Sequence, residues 1–135
     1  MRVANFLPSI TPAQWADVLV IAPLSANTLA KLANGLCDTL LTCVFRAWDK
    51  GRRDKPIVVA PAMNTKMWED PVTALHLGAL RERYAIRTVG PVVKQLACKD
   101  VGMGAMAEPR DIAATVMRAW DEACDLRCWN RSLGK

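Results

Sequence analysis

Histidine is nearly absent from this sequence, and long apolar runs are missing altogether. A single histidine, His76, and an odd number of cysteines, five, leave few candidate ligands for a zinc site. Cysteines without framework spacing favour free thiols over a disulfide scaffold. The longest apolar run, at residues 18–22, is far short of the roughly 20 residues that a membrane helix needs, and the first residues do not form a signal-peptide pattern. We therefore predict a soluble, cytoplasmic protein without a metal site or a membrane association.

The bulk composition predicts one globular domain. The chain has 135 residues, of which 52% are hydrophobic and 23% charged, and a net charge of +5. Part of the positive charge is concentrated in one segment, which contains Arg46, Lys50, Arg52, Arg53 and Lys55. We interpret this segment as a solvated loop, because nucleic-acid binding needs aromatic stacking positions or a recognised motif beside the charge. A positive surface also suits ligands that carry phosphates.

Short β-rich runs alternate with helical patterns along the chain. Residues 18–22 and 56–60 are continuously apolar and rich in β-branched side chains, which predicts two buried parallel strands, each ended by a proline. Residues 86–89 predict a third, shorter strand. Residues 92–107 contain glycines and mixed polarity, which favours a long loop or flap. Strands that alternate with helices indicate an α/β domain with a parallel sheet.

The helices are predicted from their end signals and their apolar spacing. Residues 27–34 predict a helix with Gly35 as its C-cap, and residues 38–48 predict a second one, apolar on most sides and buried. Asp70 and Pro71 are typical of a helix start, and that helix runs to about residue 84. Pro109 opens the last helix, whose sheet-facing side is predicted to contain Ile112, Val116, Trp120 and Ala123.

Two loops follow the two predicted buried strands. In parallel α/β sheets, ligands bind at the carboxyl ends of the strands, which is where residues 23–28 (PLSANT) and 61–64 (PAMN) lie. Neither loop is a glycine-rich phosphate loop or a GxGxxG fingerprint. The residues alone therefore predict an α/β domain with two polar loops at the binding edge.

Three segments resemble motifs of the homo-oligomeric flavin-containing cysteine decarboxylases. Residues 23–28 resemble the PASANT motif, residues 61–68 (PAMNTKMW) match the PxMNxxMW motif in full, and residues 96–108 resemble the flap that carries a reactive cysteine. The chain is identified as a member of this family, with the greatest similarity to the phosphopantothenoylcysteine decarboxylases of plants and animals. The resemblance implies a Rossmann-like (flavodoxin-like) α/β fold with a parallel sheet in three layers.

The resemblance also implies a reaction, in which FMN-dependent decarboxylation converts 4'-phosphopantothenoylcysteine to 4'-phosphopantetheine for coenzyme A biosynthesis. In the family, trimers form the active sites at their subunit interfaces. By this resemblance, Asn64 holds the substrate carboxylate through its amide donors, and Cys98 donates a proton, which a thiol does well when its pKa lies near the working pH. Without the motifs around them, Asn64 reads as a turn cap and Cys98 as an ordinary buried thiol. The other implied contacts are Ser25, Ala26, Asn27, Thr28 and Ala62 with FMN, and Gln95, Leu96, Ala97 and Met106 with the substrate.

The sequence departs from the family pattern in two respects. Ser9 stands where the family has its catalytic histidine, and a serine cannot replace imidazole as a base at neutral pH. His76 lies in a predicted helix elsewhere and is interpreted as a packing or surface residue. The family's opening βαβ region would precede residue 1, since only about 15 residues stand before the first strand and a βαβ unit needs roughly 30 or more. A sheet without its first strands would expose an edge, which favours association with a partner.

These departures leave two classes of function open. The chain is either a decarboxylase subunit, in a homotrimer or in a heterotrimer with a histidine-bearing family member, or a non-catalytic binding protein of the same fold. Fungal relatives of the second class inhibit a protein phosphatase, and an inactive fragment is a third possibility. We divide the chain into a divergent N-terminal segment (residues 1–14), a flavoprotein domain (15–123) and a basic C-terminal tail (124–135).

Overall fold

Three parallel strands form the central sheet of the protein, and helices follow the first two of them. A computed structural model describes residue 13 and residues 15–50, 54–95 and 101–132. In chain order the elements are β1 Leu19–Leu24, α1 Ala26–Asn34, α2 Leu40–Ala47, β2 Ile57–Pro61, α3 Thr65–Glu69, α4 Pro71–Tyr84, β3 Arg87–Thr88, β4 Val92–Gln95, β5 Val101–Ala105 and α5 Pro109–Ser132. This arrangement confirms the predicted α/β class.

The sheet has the order β1-β2-β3, with β2 in the centre. Both pairings are parallel, and the register places Leu19 opposite Ile57 and Val58 opposite Arg87. Every residue of β2 is buried, which explains why its sequence is apolar without alternation. A second, separate sheet is the antiparallel pair formed by β4 and β5.

Helices cover both faces of β2. On one face, Ile57 and Val59 belong to a large core cluster to which α1, α2 and α4 contribute Leu32, Phe45 and Leu80 among others. On the other face lies a small cluster of Ala60, Ala107 and Ile112, with Ile112 supplied by α5. The predicted three-layer arrangement is therefore confirmed.

The strand β1 is less well covered than β2. Its burial alternates irregularly, Ala22 and Pro23 are exposed, and 41% of Val20 is accessible to solvent. In the register of the sheet, Val20 lies beside Val58, which is fully buried. β1 therefore forms an apolar edge of the described sheet, as expected from the sequence.

The predicted C-cap of α1 and the predicted start of α4 are confirmed, whereas α1 begins at Ala26, one residue before the predicted start. Ser25 caps α1 by accepting a hydrogen bond from the Thr28 amide, and Gly35 ends this helix in the left-handed conformation. Asp70 caps α4 by accepting from the Val72 amide, and Pro71 is in the first turn. These are local signals, which is why the sequence predicts them well.

Other predicted boundaries are wrong. β1 and β2 continue through their prolines to Leu24 and Pro61, which is possible because a proline at an edge or at the last position of a strand removes no required donor. The second helix spans only Leu40–Ala47, and Leu40 is 61% exposed, so the helix is amphipathic rather than buried on most sides. The predicted loop at residues 92–107 contains the β4–β5 hairpin. α5 extends to Ser132, and the division of the chain into residues 1–14, 15–123 and 124–135 stays a prediction.

Candidate functional site

The two motif loops meet at the carboxyl edge of the sheet. The Ala62 amide, which follows β2, donates a hydrogen bond of 3.0 Å to the Leu24 carbonyl at the end of β1. This contact extends the parallel pairing of the strands beyond their last register pair. It places the loop that begins at Ser25 directly beside the loop that ends at Asn64.

The first loop presents polar groups at the start of α1. The Ser25 hydroxyl accepts from the Thr28 amide at 3.2 Å and donates to the Thr28 hydroxyl at 3.1 Å. Helix geometry leaves the amides of Ala26 and Asn27 without an intrahelical acceptor, and Ser25 and Asn27 are exposed. Amides at the positive end of a helix dipole suit an electron-rich ring edge or a phosphate. The predicted residues of this loop therefore form a coherent donor set that fits a flavin nucleotide.

The second loop holds Asn64 at the start of α3. Its side-chain oxygen accepts from the Lys66 amide at 2.9 Å, which caps the helix. Asn64 can cap the turn and also bind a substrate carboxylate, because the cap uses only the side-chain oxygen and leaves the NH2 donors for a carboxylate. The adjacent Thr65 hydroxyl oxygen is buried and has no hydrogen-bond partner within the described part of the chain. A buried polar atom of this kind is a natural partner for a bound polar group.

The β4–β5 hairpin rests on the second loop. The Met63 amide donates to the Gly104 carbonyl at 2.9 Å. A Cβ atom at Gly104 would lie 2.3 Å from the Met63 carbonyl oxygen, and the φ of Gly104 is +136°. Only glycine fits this approach of two backbones. Gly104 therefore allows the hairpin to lie against the second loop, a role that its place in the flap motif does not predict.

The remaining predicted site residues are not all brought together. Gln95 is the last residue of β4, whereas Leu96, Ala97 and Cys98 lie outside the described residues, as does Ser9. Met106 is half-buried and packs against the cluster beneath α5. The roles of Cys98, Gln95, Leu96, Ala97 and Met106 therefore stay predictions.

His76, in α4, lies beside the end of α1 that is far from the motif loops. Its Nε2 is 3.5 Å from the Asn34 side-chain nitrogen, and Asn34 is the last residue of α1 whereas Ser25 caps its first turn. A helix of nine residues separates these ends by roughly 12 Å. The packing role predicted for His76 is consistent with this position.

Within residues 13, 15–50, 54–95 and 101–132, no group of three or more histidine, cysteine, aspartate and glutamate side chains is arranged to hold a metal ion. Within the same ranges, no helix is both long and apolar enough to cross a bilayer.

Comparison with known proteins connects these loops to flavoproteins. The family model described as Flavoprotein matches residues 5–120. A probable phosphopantothenoylcysteine decarboxylase of Arabidopsis thaliana is 57% identical over 108 residues, which are 80% of this chain and 52% of that protein. The phosphopantothenoylcysteine decarboxylase of Mus musculus is 50% identical over 103 residues, which are 76% of this chain and 48% of the mouse protein. The chain therefore spans about half the length of these curated relatives.

Solved structures give the same result for the fold. One is a cysteine-to-serine mutant of PPC decarboxylase, complexed with pantothenoylaminoethenethiol. It superposes on this chain with a TM-score of 0.82 at 53% identity, and the match covers 90% of this chain and 64% of the mutant's chain. The FMN binding protein AtHal3 superposes with a TM-score of 0.77, also at 53% identity, with the same coverage. With a family model that matches most of its length, this chain belongs to the flavoprotein family of the cysteine decarboxylase type.

Proposed function

We propose that this chain is a subunit of a cytoplasmic, FMN-dependent decarboxylase that converts 4'-phosphopantothenoylcysteine to 4'-phosphopantetheine. The observation that carries the proposal is the contact between the Ala62 amide and the Leu24 carbonyl, which joins the two motif loops at the ligand-binding edge of the sheet. The relatives named phosphopantothenoylcysteine decarboxylase support the substrate, and the FMN binding protein AtHal3 supports the cofactor.

In this proposal, the loop at the start of α1 binds the cofactor. Ser25, Ala26, Asn27 and Thr28 provide hydroxyl and amide donors, and Ala62 lies beside them through its contact with Leu24. Bound FMN would supply the redox chemistry that activates the substrate thiol for loss of carbon dioxide. The protein's own contribution is to orient the cofactor with groups fixed by the helix start, which costs little reorganisation during the reaction.

The loop after β2 binds the substrate carboxylate through Asn64. Its cap contact with the Lys66 amide fixes the side chain, so that the NH2 group is oriented before the substrate arrives. Cys98, together with Gln95, Leu96, Ala97 and Met106, would belong to the flap that closes over the substrate, with the Cys98 thiol as the proton donor.

Ser9 stands where the family has its catalytic histidine. The reaction therefore requires a partner subunit that supplies a histidine, because serine cannot act as the base. We propose a heterotrimer with a histidine-bearing family member, in which this chain contributes Asn64 and Cys98; a homotrimer would contain no such histidine. The same absence supports the second candidate, a non-catalytic binding protein of this fold.

Visible absorption and turnover distinguish these functions. The full chain, alone and co-expressed with a histidine-bearing family member, should show flavin bands after removal of free FMN, and only the mixed complex should release carbon dioxide from the substrate. Asn64→Ala should abolish turnover and keep the flavin bands, because the Asn64 side chain contacts the substrate rather than FMN.

Asn34→Ala is the matched control. The Asn34 side chain donates to the Ala30 carbonyl at the far end of α1, and this variant should keep both the flavin bands and turnover. Flavin bands without turnover in the mixed complex would favour the binding protein, and colourless preparations would rule out the FMN site.

A further inference from the structure

Two free cysteines lie close together at the turn between α1 and α2. The Cys43 thiol donates to the Cys37 carbonyl at 3.4 Å. The Cys37 thiol lies 4.0 Å from the Thr42 carbonyl oxygen, which belongs to the peptide bond that precedes Cys43. Cys37 is exposed, whereas Cys43 is half-buried. The two cysteines therefore form a compact pair that solvent reaches through Cys37.

The cysteine pair lies at the opposite end of α1 from the motif loops. Ser25 caps the first turn of α1 and Gly35 its last, and Cys37 follows shortly after Gly35. The nine residues of α1 separate its two ends by roughly 12 Å. The pair is therefore distinct from the candidate flavin site, and the proposed decarboxylation does not use it.

Hydrogen bonds hold the turn between the two cysteines. The Thr39 hydroxyl accepts from the Thr42 amide at 3.2 Å, and the Thr42 hydroxyl accepts from the Thr39 amide at 3.0 Å, which together form a capping box. Asp38 also forms an ion pair with Lys31 of α1. These contacts fix the backbone between the cysteines, so the two thiols are near each other before any reaction begins.

The two thiols differ in their surroundings. Burial raises the pKa of the Cys43 thiol, and the neighbouring Cys37 thiol and Asp38 carboxylate raise it further, so Cys43 stays protonated at neutral pH. Burial and Arg46 lower the pKa of Lys50, whereas the nearby Cys37 acts in the opposite direction, which means that the Lys50 ammonium attracts a thiolate at Cys37. The exposed Cys37 is therefore the thiol that an external reactant meets first.

We propose that Cys37 and Cys43 form a dithiol site that reduces small-molecule disulfides and closes a disulfide between the two cysteines in exchange. In the first step, the Cys37 thiolate attacks one sulfur of the reactant, the S–S bond of the reactant breaks, and one half leaves as a thiolate that takes up the proton released by Cys37. In the second step, Cys43 loses its proton and its sulfur attacks the Cys37 sulfur. The other half of the reactant then leaves and takes up that proton. Overall, the two cysteines are oxidised and the reactant is reduced to two thiols.

Oxidised glutathione is a suitable probe, because it is a disulfide with two identical halves. Trypsin cleaves after Lys31 and Arg46, so the peptide of residues 32–46 contains both Cys37 and Cys43 and no other cysteine. The full, reduced chain is incubated with the probe, and the remaining thiols are alkylated before digestion. Mass spectrometry should then show this peptide without alkyl groups, without glutathione and lighter by two hydrogen atoms.

Two matched variants separate the steps of the exchange. Cys43→Ser removes the second thiol, so a mixed disulfide between Cys37 and glutathione should accumulate. In Cys37→Ser, Cys43 should react about tenfold or more slowly than Cys37 does in Cys43→Ser, because a half-buried, protonated thiol is a poor nucleophile. The parent chain tests the exchange by itself if either variant does not fold.

Cys124 and Cys128 provide a control pair in the same sample. They lie four residues apart within α5, where Cβ atoms one turn apart are about 5–6 Å from each other, farther than the roughly 3.5–4.5 Å that a disulfide needs. Trypsin cleaves between them, after Arg127, so a disulfide between them would join two peptides. We expect no such joined peptide under conditions that oxidise Cys37 and Cys43.

Three outcomes would overturn the proposal. The first is a parent chain that keeps glutathione on Cys37 without closing the internal disulfide, or in which neither cysteine reacts. The second is equal reactivity of Cys43 in Cys37→Ser and of Cys37 in Cys43→Ser. The third is closure of the Cys124–Cys128 pair as fast as that of Cys37 and Cys43, because the capped turn would then give no advantage.

Discussion

At the scale of single residues, the contact between Gly104 and Met63 determines how the hairpin meets the binding edge. The φ of +136° and the 2.3 Å distance from a virtual Cβ to the Met63 oxygen exclude any other side chain without a backbone shift. We predict that Gly104→Ala lowers the free energy of unfolding by about 1–3 kcal/mol, the cost of one strained backbone position. Chemical denaturation checks the stability, and a flavin titration checks whether the displaced hairpin also weakens FMN binding.

Gly78 offers a control of the same chemical change. It lies within α4, and nothing stands within 4 Å of a Cβ atom built there. Gly78→Ala should raise the free energy of unfolding by about 0.5–1 kcal/mol, because alanine loses less backbone entropy than glycine in a helix. Equal effects of the two alanine substitutions would contradict a specific constraint at Gly104.

The sequence predicts some residues well and others not at all. Gly35 and Asp70 are recognisable because a helix cap depends only on neighbours a few positions away. The role of Gly104 depends on Met63, which lies far away in the chain and meets it only in the folded protein. The residues alone predict Asn64 as a turn cap, and the structure confirms this cap at the start of α3. The substrate contact that the family motifs imply for Asn64 stays a prediction.

At the scale of elements, the Asp70 cap links the candidate site to the core. Asp70 ends α3, whose N-cap is Asn64, and starts α4, whose Leu77 and Leu80 are buried in the main cluster. We predict that Asp70→Ala lowers the free energy of unfolding by about 1 kcal/mol, since it removes the acceptor for the Val72 amide. Asp70→Asn keeps a side-chain oxygen at the cap and should stay close to the parent chain. Urea denaturation with an unchanged m-value measures both, and a full loss in the asparagine variant would contradict the cap as the cause.

The elements that the sequence did not predict either depend on pairing between separate segments or are too short to show an apolar periodicity. β4 and β5 pair in antiparallel register, with Val92 opposite Ala105, although Gly102 and Gly104 weaken the local strand signal. The hydrogen bonds between the two strands stabilise them, although their local strand propensity is low. α3 has only five residues and lies inside a motif, so it shows no apolar periodicity.

At the scale of the whole molecule, the two faces of the sheet are covered unequally. α1, α2 and α4 cover one face, whereas the small cluster under α5 reaches β2 but leaves Val20 of β1 accessible. An apolar edge strand of this kind favours association with another chain or with additional strands. Association through β1 would fit the trimeric assembly that we propose. The introduction of one charged side chain on β1 tests it.

We predict that Val20→Lys shifts the chain toward smaller species in sedimentation velocity, because a lysine on the edge strand disfavours pairing with a further strand. Since 41% of Val20 is already exposed, the free energy of unfolding should change by less than about 1 kcal/mol. Val72→Lys places the same charge on α4, at a valine that is 50% exposed, and should leave the sedimentation profile unchanged. If Val72→Lys dissociates the assembly and Val20→Lys does not, the chain associates through α4, and the exposed edge of β1 has another role.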